Sequence, residues 1–220
     1  MRLKSALRRG VAAAVIAGIV VSSGIPAYAG TWNIADGDIT VKAGDEGTNK
    51  VTQGEKEEVE DTDTVITGKS EEHTVTIDTS KGNVDVTFDD LKIDVSGRDE
   101  GNAAVRVEGE GDVTIELDGD NELKSGGYNA GLEKNGGEPS GTLTIKDDKG
   151  KDGSLTAEGG DGGGAGIGGG HERSAGNIEI TGGTIEAVGG AGAAGIGGGV
   201  YGPGHDIEIS GGKVSATGGD

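Results

Sequence analysis

The chain has 220 residues, 48 of them glycine, no cysteine, and a formal charge of −20. So acidic a surface argues against nucleic acid and anionic membranes as partners, and a chain without cysteine gains nothing from disulfides. Leu, Ile, Val and Phe supply only 35 of the 191 residues after position 29, a level that together with high net charge ordinarily marks disorder.

Residues 1–29 read as a secretory signal peptide. Arg2, Lys4, Arg8 and Arg9 form the charged start, residues 11–21 form an apolar core too short to span a bilayer, and Ala27-Tyr28-Ala29 is a cleavage site before Gly30. The 19 basic residues less these four leave 15 against 39 acidic ones, a balance of −24 for the exported chain. No other apolar segment is long enough for a membrane span. The expected location is secreted, at a bacterial cell surface, and the lack of cysteine suits a Gram-positive one.

Residues 30–83 are expected to form an N-terminal cap and first coil with an acidic loop. Trp32 and Ile34, then Ile39-Thr40-Val41, predict a first strand pair. Residues 42–64 are polar and acidic and predict a mobile loop excursion. Val65–Thr67 and Thr74–Ile77 predict two strands that finish the coil, and residues 79–83 a turn. Trp32, the sole tryptophan, reads either as a cap residue or as a platform for stacking a sugar ring.

Residues 84–220 repeat, and the repeat overrules the disorder signal. Ile178 and Ile180 recur as Ile207 and Ile209; Ile185 and Ala187 recur as Val214 and Ala216; the run Ala165-Gly166-Ile167 recurs as Ala194-Gly195-Ile196. Each shift is 29 residues, a period that signals a solenoid. The first strand of each coil starts at Val84, Val113, Leu143, Ile178 and Ile207. Second strands hold Leu91/Ile93/Val95, Leu123, Leu155/Ala157, Ile185/Ala187 and Val214/Ala216. Third positions hold Val105/Val107, Leu132, Ile167 and Ile196. The reading is an all-β, single-stranded parallel β-helix with about 29–30 residues and three short strands per coil. One coil carries an insertion at 149–153. The last coil, from Asp206, is incomplete, since Gly218-Gly219-Asp220 matches Gly159-Gly160-Asp161; the chain is expected to be a fragment of a longer protein. Alternation turns Asp85/Thr87, Thr114/Glu116, Thr144/Lys146, Glu179/Thr181 and Glu208/Ser210 outward, a polar wall.

The motifs narrow the function. The run Gly164–Gly170 looks like a phosphate-binding glycine loop, but it repeats and no helix pattern follows it. Calcium-binding nonapeptide repeats need an Asp every nine residues, which a 29-residue period does not provide. The corner after the first strand carries Asp89/Asp90, Asp118/Asp120 and Asp147/Asp148. Stacking would column these carboxylates, and Ca²⁺ takes such oxygen ligands; Asp chosen for turn geometry is the other reading. Tyr128, Tyr201 and Trp32 are the candidate sugar-binding aromatics, although the two tyrosines stand on opposite sides of the third strand and form no evident row. For catalysis, Lys124 and Lys146 lie near the acidic corner and His171 and His205 sit in glycine-rich loops read as exposed, but no constellation emerges. No catalytic residue is assigned, and no cofactor is required beyond the Ca²⁺ option.

The runs 184–199, 141–145 and 113–123 resemble repeats of secreted Gram-positive surface proteins with glycine-rich β-helix repeats, some of them carbohydrate-binding β-helix domains and others adhesin-like. The resemblance covers about residues 31–220. It implies a right-handed parallel β-helix, binding of acidic sugars or plant polysaccharides in some relatives, and Ca²⁺ as an optional ligand. The matching motifs are structural glycines and aliphatics, so no site residue is carried over. The expected protein is an exported, non-catalytic cell-surface β-helix that binds polysaccharide or a host or cell-wall glycan, or acts as an adhesin module. The alternatives are a Ca²⁺-dependent polysaccharide lyase or hydrolase, and a structural stalk for a C-terminal domain.

Overall fold

Alternating aliphatic and polar residues favour short strands with one buried face, and the repeat stacks each strand on its predecessor. The computed structural model describes residues 29–45, 47–98, 101–137, 140–150 and 152–220. It is a parallel β-solenoid of about six turns. The expected signal peptide lies outside the described residues, apart from Ala29.

The chain enters through β1 (Thr31–Asn33), a 3-10 turn (Ile34–Asp36) and β2 (Ile39–Ala43), then β3 (Asn49–Gln53), β4 (Val59–Asp61), β5 (Thr64–Ser70) and β6 (Val75–Asp78). The regular turns begin with β7 (Val84–Asp94) and β8 (Val105–Glu108). They continue with β9 (Val113–Asp118), β10 (Asp120–Lys124) and β11 (Leu132–Lys134), then β12 (Leu143–Lys146), β13 (Ser154–Glu158) and β14 (Ile167–Gly168). The next turn holds β15 (Ile178–Ile180), β16 (Thr184–Val188) and β17 (Ile196–Gly197), and the last holds β18 (Ile207–Ile209) and β19 (Lys213–Thr217). First and second strands share an 11-stranded sheet, because β7 bends through both positions and pairs with β9 and β10. Third strands form an 8-stranded sheet ordered β17-β14-β11-β8-β6-β2-β3-β4.

The register matches the spacing read from the sequence. Val84 pairs with Val113, Val113 with Leu143, Leu143 with Ile178 and Ile178 with Ile207. In the third sheet Val105, Leu132, Ile167 and Ile196 stack in one column, and Ile39 and Val75 continue it toward the N-terminus. Almost all these aliphatics are fully buried, each contributing roughly 1.5–3 kcal/mol. The bend between first and second strands needs a left-handed residue. Gly119 supplies it at φ +65°, and Asp90 takes the equivalent place at φ +51°.

Three expectations change. Residues 42–64 are not a loop excursion: β3 and β4 form an antiparallel meander on the outer edge of β2. Asn49, Val51 and Gln53 alternate inward there and close the end of the third sheet, as a terminal repeat must. Residues 30–83 supply two rungs of each sheet rather than one coil, because β1 stacks on β5 and β2 on β6. The polar wall is also partly covered. Thr87 and Glu116 are register neighbours, and both are buried. The backbone at Asp148 and Lys149 folds back over Glu116, whose Oε1 accepts from their N–H groups (2.8 and 2.7 Å).

Candidate functional site

The third sheet is flanked by long glycine-rich turns, and these carry the exposed aromatics. Gly162 and Gly164 let two successive turns touch. A Cβ on Gly164 would stand 1.9 Å from Asn129 O, and one on Gly162 would stand 2.7 Å from Tyr128 Cδ1. Tyr128 therefore lies directly on the turn of the next coil, with its side chain largely in solvent (63 % exposed). His171 follows. Its backbone N–H donates to Tyr128 O at 2.7 Å, and its ring Nδ1 sits 2.7 Å from Gly162 O. Tyr201, 86 % exposed, comes from the turn after that.

The three rings form a row. Tyr128 and His171 meet edge to face with centroids 5.0 Å apart at 71°; His171 and Tyr201 follow at 6.2 Å and 87°. The tyrosines that showed no evident row in the sequence are joined by His171, which is half-buried rather than exposed. Tyr201 holds this place in the left-handed region, φ +62°, where an aromatic residue is strained.

Beside the row runs a groove of about 460 Å³ lined by Tyr128, His171, Arg106, Glu133, Lys134 and Arg173 among others. Arg106 pairs with buried Glu133 at 3.0 Å, and its guanidinium also donates to Asn129 Oδ1 at 3.1 Å. Glu133 further accepts from Asn135 Nδ2 (3.0 Å) and Ala130 N (3.3 Å). Lys134 sits at the inner end. It occupies the column of Ile77 and Val107, is buried, and its ammonium meets the Ser140 hydroxyl. Burial pushes the Lys134 amine below the ordinary lysine value, and Asp112 partly opposes the shift. Arg106, Glu133 and Lys134 were not singled out from the sequence. Lys134 alone leaves a mark there, a lysine that follows Ile77 and Val107 in their column.

Trp32 stands apart from this row. It lies half-buried on β1 against the core, and its indole N–H donates to Asp61 Oδ2 at 2.6 Å. The corner carboxylates are engaged along the stack. Asp90 Oδ1 accepts from Asp120 N (2.9 Å), Asp120 Oδ1 from Ser154 Oγ (2.9 Å), and Asp147 Oδ2 from Gly153 N (3.2 Å). Asp148 pairs with Lys146 at 3.1 Å. Asp89 and Asp118 are register neighbours on β7 and β9. Among the described residues no three of His, Cys, Asp or Glu stand so as to hold a metal ion. Lys124 and Lys146 are both held above the ordinary lysine value, Lys124 chiefly by its hydrogen bond to Glu122 and Lys146 by that to Asp148. His205 is exposed, with Nδ1 2.9 Å from Asp206 Oδ2.

Among the described residues no helix is long and apolar enough to cross a membrane. Comparison with curated proteins and with solved structures gives no match. A family described as beta helix repeat matches residues 178–200 and 207–220, the turns where the repeat is most regular. With the stacked register of the whole solenoid, this makes the chain a β-helix repeat protein.

Proposed function

We propose that the protein is an exported, non-catalytic cell-surface β-helix that binds polysaccharide along the third sheet, as an adhesin or glycan-binding module. The observation that carries this reading is the Tyr128–His171–Tyr201 row, its two tyrosines exposed, beside a polar groove. Sugar rings stack their C–H faces on aromatic rings, while fixed amides and charged groups take their hydroxyls. A row fixed to successive coils presents such contacts at intervals, which suits an extended polymer. The raised values of Lys124 and Lys146 keep both protonated and speak against either as the base of a lyase. Ca²⁺ at the acidic corner would lie on the other sheet, so glycan binding is expected to survive chelation.

The test is a glycan array probed with the purified exported protein, with and without Ca²⁺, and with Tyr128→Ala and Tyr201→Ala. Both side chains are largely exposed, so both variants should fold. Binding to a polysaccharide that weakens about tenfold or more in each variant supports the reading. Binding that ignores both substitutions, or silence from a folded sample, overturns it.

A further inference from the structure

We infer that removal of the expected signal peptide after Ala29 completes the N-terminal cap: the new α-ammonium of Gly30 pairs with the buried carboxylate of Asp61, and the cap reaches its full stability only in the processed chain. This rests on the reading of the protein as exported and gives the processing site a structural role.

Asp61 carries the argument. It ends β4, the outermost strand of the third sheet, and is 1 % exposed. Its carboxylate reaches the start of β1, the edge strand of the other sheet, so it ties the N-terminal edges of both sheets together. Oδ1 accepts from Gly30 N at 2.9 Å and from Asp63 N at 3.1 Å, and Oδ2 accepts from the Trp32 indole at 2.6 Å. The neighbouring Asp63 turns its own carboxylate to Lys149 at 3.6 Å. All three donors to Asp61 are neutral N–H groups in the unprocessed chain. Hydrolysis of the Ala29–Gly30 peptide bond adds one water across it: the released segment keeps the carboxylate, and Gly30 keeps the nitrogen as a primary amine. An α-amine has an ordinary value of about 8 and is mostly protonated at neutral pH. The Gly30 contact then becomes charge-assisted, roughly twice as strong as a neutral hydrogen bond, and a carboxylate held out of water gains a counter-charge.

The local geometry singles out the same bond. Gly30 is held on both sides, with its N–H on Asp61 and its C=O accepting from Val65 N at 2.9 Å, whereas Ala29 is exposed. The hydrogen bonds of the cap therefore take in the residue that processing makes first, and the bond to be cut lies on its solvent side. The position also demands glycine. A Cβ there would stand 2.6 Å from both Asp61 Oδ2 and Trp32 Nε1, so a side chain would push the carboxylate off its donors. Trp32 is the sole tryptophan, and its fluorescence reports on this contact.

The experiment starts from the intact mass of the protein recovered from the medium of a secreting host, which should place the first residue at Gly30. That protein is compared with its Nα-acetylated form, which keeps the N–H donor and removes the charge, and both forms are made again with Asp61→Asn. Acetylation should lower the midpoint of the Trp32 fluorescence melt by about 2–4 °C, and by less than about half as much in Asp61→Asn, as coupled groups require. A second readout needs no variant. The ¹³Cα resonance of Gly30 follows the titration of the α-amine, whose midpoint should lie above the ordinary value of about 8, since an opposite charge raises it and burial alone would lower it. A first residue other than Gly30 overturns the inference, and a chain secreted without cleavage overturns the export reading with it. Cleavage at Gly30 with no effect of acetylation, with equal effects in both backgrounds, or with a midpoint at or below about 8 removes the ion pair and leaves export standing.

Discussion

Tyr201 separates what the fold needs from what the surface offers. A left-handed non-glycine residue costs about 1–2 kcal/mol, and the exposed ring gains little packing in return. Tyr201→Gly removes the strain but adds about 0.5–1 kcal/mol of chain entropy to the unfolded state. The variant should therefore match or exceed wild-type stability by up to about 1 kcal/mol, and it should be more stable than Tyr201→Ala, which keeps the strain. Both should lose glycan binding. Urea melts of the three proteins decide it; a Tyr201→Gly protein less stable than Tyr201→Ala would remove strain from the account. Asn121 is the opposite case, a polar side chain that the fold itself requires. It stands inside the second-strand column opposite Leu155, buried, with its Oδ1 accepting from Leu91 N and its Nδ2 donating to Asp118 O and Ser154 O. A polar residue at an aliphatic register position hides from an alternation pattern, which is why Leu123 alone marks this strand in the sequence.

At the scale of the element, the strand ladders were legible because one aliphatic position repeats every 29 residues and neighbouring columns move with it. The cap was not. β3 and β4 occur once, and their inward residues include Asn49, Gln53 and Asp61, all buried, so an antiparallel meander reads as a polar loop. The aromatic row was hidden for a related reason. Its members lie 43 and then 30 residues apart, because they come from different points of their turns and one coil carries an insertion. Two Asp-x-Ser turns close strand ends locally, one on each sheet. After β7, Ser96 Oγ and N–H both donate to Asp94 (2.6 and 3.2 Å); after β6, Ser80 does the same to Asp78 (2.5 and 2.9 Å). The Ser96 hydroxyl holds the Asp94 carboxyl below its usual range. At Asp78 burial pushes upward, and the Ser80 bonds with Lys42 and Lys81 outweigh it. A depressed carboxylate contributes stability that is present above its unfolded value and lost as pH falls through the folded one. Both turns should thus weaken below about pH 4. Ser96→Ala should shrink the acid-induced fall in melting temperature while lowering stability at about pH 7; an unchanged acid profile would remove this turn from the account.

For the whole molecule, the charge distribution sets how an anionic polymer would arrive. The field at a distance is repulsive, from 39 acidic against 19 basic residues. The groove is attractive only at contact, where Lys134, Arg106 and Arg173 face Glu108 and Glu133. Salt screens these unequally. The Debye length falls from about 30 Å at 0.01 M to about 8 Å at 0.15 M, so the long-range repulsion fades while a buried contact at about 3–4 Å is little affected. The association rate of an anionic oligomer should therefore rise by about two- to tenfold across that range, against the fall expected when a ligand is steered by opposite charge. Dissociation should change less, because it reports the contacts themselves. Stopped-flow measurements with galacturonate oligomers and with neutral glucan oligomers separate the two effects. The neutral ligand should show a flat association rate. A rate that falls with salt for the anionic ligand would mean that the groove's cations dominate the field even at long range, and the groove would then be one part of a wider basic surface rather than a local site in an acidic solenoid.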